Sequence, residues 1–184
     1  MKNSELSRKE FIKLSMLAAG GLLLLNRCNY PSALQWRFFT VYEAKLLDAL
    51  VEQIIPTDEW PGARDAGVTN YIDKQLVGPL SRFSQQYRDG LKAVQLSAQA
   101  MYQCNFEEIE WDTQTRFLEN MEAGQLEGEQ WSNGFHRQFF NLLLDHTMQG
   151  FYGSPRHGGN KNFVSYKMIQ LDYPHIIGRN VHKS

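Results

Sequence analysis

Two cysteines in 184 residues exclude a disulfide-dense scaffold and a four-thiolate metal site. No apolar run approaches the roughly 20 residues that a bilayer-spanning helix needs. The net charge is −1, from 19 basic and 20 acidic side chains. That balance lacks the basic excess of a dedicated nucleic-acid binder. Catalytic signatures are missing as well. There is no H-E-x-x-H, C-x-x-C or C-x-x-C-H for zinc or haem. There is no G-x-S-x-G nucleophile elbow and no G-x-G-x-x-G dinucleotide fingerprint. His136 and His146 share one expected helix but stand about 280° apart around its axis, so they do not form a metal-binding pair. Asp145-His146 reads as a solvated helix face rather than half of a triad. A small helical enzyme built on His157 and nearby acids lacks any paired acid–base motif. No catalytic, cofactor-binding or metal-ligating residue is expected in this chain.

What is present is an ordinary globular composition, 42% hydrophobic and 12% aromatic. It suffices for one self-supporting core. The N-terminus reads as an address. Lys2, Arg8, Lys9 and Lys13 precede residues 14–25, L-S-M-L-A-A-G-G-L-L-L-L. A positive segment before a short apolar one is the pattern of an export signal. Ser7-Arg8-Lys9-Glu10-Phe11-Ile12-Lys13 resembles the twin-arginine translocation box, with Lys9 at the place of the second arginine. Such signals serve proteins that fold, or meet folded partners, before export. An ordinary secretion signal, or an amphipathic first helix without export, is the other reading. Cys28 follows in L-N-R-C, where a bacterial lipoprotein carries its lipid, although Asn26 and Arg27 suit that box poorly. Cleavage near Pro31-Ser32-Ala33 is the alternative. Removing the leader takes more basic than acidic groups and leaves a mildly acidic domain, which disfavours anionic partners.

The rest of the chain has helical period. Thr40 and Glu43 form a capping box ahead of Leu46, Leu47, Leu50, Val51, Ile54 and Ile55, and Pro56 ends that helix. Residues 56–67, P-T-D-E-W-P-G-A-R-D-A-G, read as a structured loop. A second helix over 67–77 carries Val68, Tyr71, Ile72, Leu76 and Val77. A third over 84–103 carries Tyr87, Leu91, Val94, Leu96, Ala98 and Met101. Asp112 offers an N-cap for 113–123, and Gly124 a stop. A fifth helix over 130–150 carries Phe135, Phe139, Phe140, Leu142, Leu143, Leu144 and Met148. The tail, 151–184, shows no sustained period. These elements predict an all-α fold: a compact bundle of about five helices with long structured loops and an irregular C-terminal tail. The domain plan is an export signal and linker over 1–33, with Cys28 as a candidate lipidation site, and a single domain over 34–184.

The densest segment is 147–169. Gly153, Gly158 and Gly159 permit close backbone approach, and Pro155 stiffens the turn. Arg156, His157, Asn160 and Lys161 are donors. A phosphate cradle is conceivable there, but no helix clearly begins after it. The other reading is a rigid polar-aromatic loop, with Phe151, Tyr152, Phe163 and Tyr166 as anchors. Cys104, alone in an oxidising compartment once Cys28 is removed or lipidated, reads as a buried thiol or as a bond to another subunit.

Two stretches resemble the gluconate 2-dehydrogenase subunit 3 family. The first is Ile54-Ile55-Pro56-Thr57-Asp58, Pro61-Gly62-Ala63 and Ala66-Gly67-Val68. The second is Phe139-Phe140, Gly150-Phe151-Tyr152, Pro155, Gly158-Gly159-Asn160 and Tyr166-Lys167-Met168-Ile169. The resemblance covers about residues 40–175. Tyr166 stands where the family often has tryptophan, and residues 169–174 lack its I-G-Y-P glycine. The resemblance implies a small non-catalytic accessory subunit. Its relatives accompany a large flavoprotein dehydrogenase of the glucose-methanol-choline type that carries FAD and oxidises a sugar, sugar acid or polyol. Electrons pass on to a c-type cytochrome subunit with haem c. The small subunit is thought to support maturation of the flavoprotein and to carry its export signal.

On this reading Arg8, Lys9 and Phe11 engage the twin-arginine translocation machinery. Trp60, Phe151, Tyr152, Arg156, His157 and Asn160 face the flavoprotein, and Cys104 is a candidate inter-subunit thiol. The expected location is periplasmic, with membrane association through the complex or through a lipid on Cys28. The alternative is a free-standing envelope lipoprotein or binding module without a flavoprotein.

Overall fold

Thr40 and Glu43 start the first helix as a reciprocal cap. In the computed structural model, which describes residues 36–170, the Glu43 amide donates to Thr40 Oγ1 at 3.2 Å. The Thr40 amide donates to the Glu43 carboxylate at 2.8 Å. Two of the amides that every helix start leaves unpaired are thereby satisfied. Helix α1 runs Val41–Ile54 and buries Leu46, Leu47, Leu50 and Val51. Helices α2 (Val68–Leu76), α3 (Ser84–Tyr102), α4 (Trp111–Ala123), α5 (Phe135–Tyr152) and α6 (Val164–Met168) follow, linked by loops and 3-10 turns. No strand occurs among the described residues, so the domain is all-α.

Helix α5 is the hub, packed against each of the other five. Its buried residues are Phe139, Leu143, His146, Thr147, Gly150 and Phe151. That spacing of three and four makes one stripe along the helix. Gly90 of α3 lies beneath the Phe139 ring, and a Cβ there would stand 2.3 Å from two ring carbons. A glycine inside a helix ordinarily costs about 1 kcal/mol against alanine. Here it lets an aromatic ring touch the backbone. Gly90→Ala is therefore expected to lower stability by about 1–3 kcal/mol, the usual range for overpacking, instead of raising it. Urea unfolding checks the sign.

Several expectations change in detail. Asp112 is not the N-cap of α4; Glu110 holds that place and Asp112 lies in the first turn. Its charge there complements the amide end of the helix dipole. Gly124 does end α4, at φ 73. The Gly124 and Gln125 amides close on Met121 O and Asn120 O, at 3.2 and 2.8 Å. Helix α5 begins at Phe135, because Ser132 and Asn133 leave helical angles in the preceding 3-10 turn. The tail forms a short helix at Val164–Met168 where none was expected. Leu96, Met101, Val77 and Met148 are exposed at 49, 50, 49 and 42%. Leu96 stands about 200° from both Val94 and Ala98, and Met148 about 100° from Thr147, at 100° per residue. Both point off the buried stripe.

His146 corrects the sequence reading most sharply. It is in phase with Phe139, Leu143 and Gly150, and is buried at 3% exposure. The Tyr87 hydroxyl, fully buried, lies 3.0 Å from His146 Nδ1. Burial holds the Tyr87 phenol well above its ordinary range, so the hydroxyl donates and Nδ1 accepts. Burial also lowers the His146 pKa below 6.5; Asp145 pulls the other way, and Arg82 adds to the lowering. A lowered folded pKa means the unfolded chain takes up the proton first. Stability is then full above about pH 6.5 and falls as pH drops below it. His146→Leu should flatten the unfolding free energy between pH 7 and pH 5. An unchanged slope in denaturant titrations would contradict this assignment.

Candidate functional site

The early loop is wound about a carboxylate. Glu52 lies on the buried face of α1, 4% exposed. One oxygen accepts from the Thr57 amide at 3.0 Å and from the Thr57 hydroxyl at 2.6 Å. The other accepts from the Arg64 amide at 3.0 Å. Those partners offset the cost of burying the charge. The Gly62 amide donates to Thr57 Oγ1 at 3.0 Å. A Cβ on Gly62 would stand 2.6 Å from Thr57 N, so only glycine fits. Residues 56–63 are held rigidly by these bonds, with Trp60 38% exposed at the turn.

The late loop is built on Asn160. Its side chain is fully buried. Nδ2 donates to Gly153 O at 2.9 Å, and Oδ1 accepts from the Ser165 amide at 3.0 Å. The Tyr166 hydroxyl donates to the same Gly153 oxygen at 3.2 Å. Asn160, Asn162 and Phe163 take φ of 44, 59 and 58°. Left-handed angles are uncommon for non-glycine residues and are an outlier for an aromatic one. Each costs of order 1–3 kcal/mol and persists only where the surroundings enforce it.

The two loops meet. The Lys161 amide donates to Ala66 O at 2.9 Å. Asn70 Nδ2 donates to Gly158 O at 2.7 Å. Gly150 of α5 abuts Val68 and Tyr71 of α2. The Ala66-Gly67-Val68 turn therefore seats the Gly158-Gly159-Asn160 turn, although the two are far apart in sequence.

This arrangement sorts the expected contact residues. Tyr152 is 46% exposed, and Arg156 and His157 are exposed on the 3-10 turn that follows α5. The Arg156 Nε donates to Ser154 Oγ at 3.1 Å, within the same turn. Trp60, Tyr152, Arg156 and His157 are open to a partner. Phe151 and Asn160 are not; both are fully buried. Phe151 falls in the core stripe of α5, and Asn160 spends its amide on the turn itself. Cys104 is a free thiol, half-exposed rather than buried. Arg8, Lys9, Phe11 and Cys28 lie outside the described residues.

A second anchor escaped the sequence reading. Asp73 of α2, 2% exposed, accepts from the amides of Arg37, Phe38 and Phe39 at 2.8, 2.9 and 3.0 Å. Arg88 of α3 stands 4.2 Å over the Phe38 ring, donates to Phe38 O at 2.6 Å and pairs with Glu43. Burial pushes the Glu43 carboxyl up, but hydrogen bonds from Arg88 and Thr40 outweigh it and hold the pKa below its ordinary value. The sequence did carry a signal. Thr69, Ile72, Asp73 and Leu76 share one helical face, and a carboxylate in such a stripe needs a partner.

Among the described residues no group of three or more His, Cys, Asp or Glu is placed to hold a metal ion. Nor is any described helix long and apolar enough to cross a membrane. The sequence pattern of gluconate 2-dehydrogenase subunit 3 matches residues 42–172, a span that contains both loops and their junction. The chain belongs to the gluconate 2-dehydrogenase subunit 3 family. No curated protein and no solved structure matches it. Membership makes it of the type of an accessory subunit of a dehydrogenase complex. In this family member the two resembling stretches are one structural unit, since 66–70 and 158–161 bond directly to each other.

Proposed function

We propose that this subunit 3 homologue is the non-catalytic small subunit of a periplasmic flavin-dependent dehydrogenase complex that oxidises a sugar or sugar acid. It binds the FAD-carrying flavoprotein, supports its maturation and brings it through the twin-arginine pore. Electrons leave by a c-type cytochrome subunit. The FAD and the haem belong to those partners, and this chain supplies a surface. The observation that carries the reading is the junction of the two loops. It fixes Tyr152, Arg156 and His157 on a strained, well-bonded support, and such pre-organisation reduces the cost of binding. Association with the folded partner stabilises it by mass action. Location at the membrane follows from the complex or from a lipid on Cys28.

The test is affinity purification of the tagged full-length chain from its own host, with mass spectrometry and a flavin absorbance scan. A co-eluting flavoprotein and a yellow eluate are the expected result. A colourless, solitary protein contradicts the proposal and favours the free-standing lipoprotein. Arg156→Ala combined with His157→Ala should weaken retention about tenfold or more while leaving helicity unchanged, as for loss of interface anchors. Equal retention by wild type and double variant would remove this turn from the interface.

A further inference from the structure

A second candidate contact surface lies behind the early loop, where the end of α1 faces the start of α4. A cavity of about 320 Å³ is lined there by Glu52, Arg64, Glu107, Glu110, Trp111 and Gln114, among others. Three carboxylates and the Arg64 guanidinium line it, and Arg64 pairs with Asp65 at 3.8 Å. Most of the lining is already committed within the fold. Glu52 holds the early loop. Both ends of the Gln114 amide are used, accepting from Gln53 at 2.9 Å and donating to Phe106 O at 2.8 Å. Glu107, with its side chain 8% exposed, accepts from Gln95 at 2.9 Å and has Lys45 at 4.0 Å.

Two residues are not committed. Glu110 is the N-cap of α4, yet its side chain does not cap the helix. Serine, threonine, aspartate or asparagine would normally spend a side-chain oxygen on that job. The Glu110 carboxylate makes no hydrogen bond or ion pair among the described residues, and it lines the cavity instead. Trp111 follows as the first helical residue, 47% exposed. Its backbone oxygen accepts from Gln53 and Thr115, but its indole makes no hydrogen bond or ring contact among the described residues. The fold thus places an uncommitted carboxylate and an exposed indole in the lining of one acidic cavity.

We infer that this cavity receives an arginine side chain from the flavoprotein subunit, as a second anchor beside the two-loop surface. The inference rests on the accessory-subunit reading above. A guanidinium suits both free groups at once, because it forks onto a carboxylate and stacks on an indole face. The surplus of negative charge favours a cation, and the wall groups already bonded within the fold exclude a ligand that needs many new hydrogen bonds. Two free groups hold a side chain delivered by a larger contact rather than a free small molecule. The occupant is therefore a basic protein surface.

The test uses the full-length subunit with the co-purified flavoprotein, and measures retention against salt. Trp111→Ala and Glu110→Lys should each weaken retention about 30-fold, the size of a hot-spot loss. Glu110→Lys should also remove most of the salt dependence, because opposite charges across an interface are what salt screens. Glu110→Gln should fall between. Trp111→Ala and Glu110→Gln should keep the wild-type thermal midpoint, and Glu110→Lys, at the amide end of α4, should lower it only slightly, which separates lost binding from lost structure. If the wild type retains the flavoprotein and all three variants retain it equally at every salt concentration, the cavity is not an anchor and the accessory-subunit reading stands. If the wild type retains no flavoprotein, both readings fall together. A loss with Trp111→Ala but none with Glu110→Lys overturns the arginine and leaves an apolar contact.

Discussion

Asp73→Ala lowers the unfolding free energy by about 3–5 kcal/mol, the size expected when buried donors lose a charged acceptor. Three backbone amides, those of Arg37, Phe38 and Phe39, have the Asp73 carboxylate as their acceptor. The Phe39 amide is sealed in the core, where Phe39 is 4% exposed, so water does not replace the carboxylate there. The loss is cooperative. Releasing residues 37–39 also frees Phe38 from the Arg88 guanidinium and slackens the Arg88–Glu43 pair at the start of α1. Urea unfolding should show a lower midpoint with an unchanged slope, the mark of altered stability rather than altered compactness. Trypsin should cut after Arg37 in the variant under conditions where the wild type resists. Asp73→Asn keeps one acceptor oxygen and should cost less, about 1–2 kcal/mol. A loss below about 1 kcal/mol for the alanine variant would mean that water satisfies those amides.

Gly159→Ala should be as damaging, for a different reason. A Cβ at 159 would stand 2.1 Å from Gly150 O and 2.8 Å from its carbonyl carbon. Those atoms belong to the backbone of α5, so no rotamer change relieves the clash. Either the late loop lifts or α5 bends. Lifting the loop breaks the Lys161–Ala66 and Asn70–Gly158 bonds that join it to α2. A loss of about 3 kcal/mol or more is expected, at the upper end of overpacking. Retention of the flavoprotein should fall as well, because Arg156 and His157 ride on the same turn. Gly134→Ala is the control: it has a left-handed φ of 73° but nothing within 4 Å of the added Cβ. It carries conformational strain without collision, and should cost about 1 kcal/mol. If the two variants lose equal stability, collision with α5 is not what matters at 159.

Several local signals are legible in the chain, although the N-cap expected at Asp112 belongs to Glu110. The Thr40–Glu43 box, Pro56 after α1 and Gly124 after α4 act within a few residues, so their physics is visible in a short window. The core stripe of α5 was partly visible. Phe139 and Leu143 were placed well, but His146 was assigned to solvent because it is polar, although its phase puts it inside. Phase outweighs polarity when a partner such as Tyr87 is waiting across the core, and that partner lies on another helix. Asp73 and Glu52 show the same lesson. Each was an anomaly in an apolar stripe, and only the fold reveals which amides it holds. Among the expected contact residues, Phe151 and Asn160 are buried in the fold, because an aromatic or an amide in a glycine-rich turn serves a core or an interface equally well. Glu110 and Trp111 carry no signal in the sequence, because nothing local distinguishes an idle cap from a working one.

The hydrogen bond between Asn70 and Gly158 joins residues 88 apart in the chain. On a ribosome the first half of the domain has long emerged before its counterpart exists. The surface bearing Arg156 and His157 is therefore among the last features to be assembled, since distant contacts wait for the chain that makes them. On the proposed function, a partner subunit docking there meets only finished copies of this chain. Truncated or half-folded chains present no such face, so docking itself is a check on the completeness of the subunit that binds.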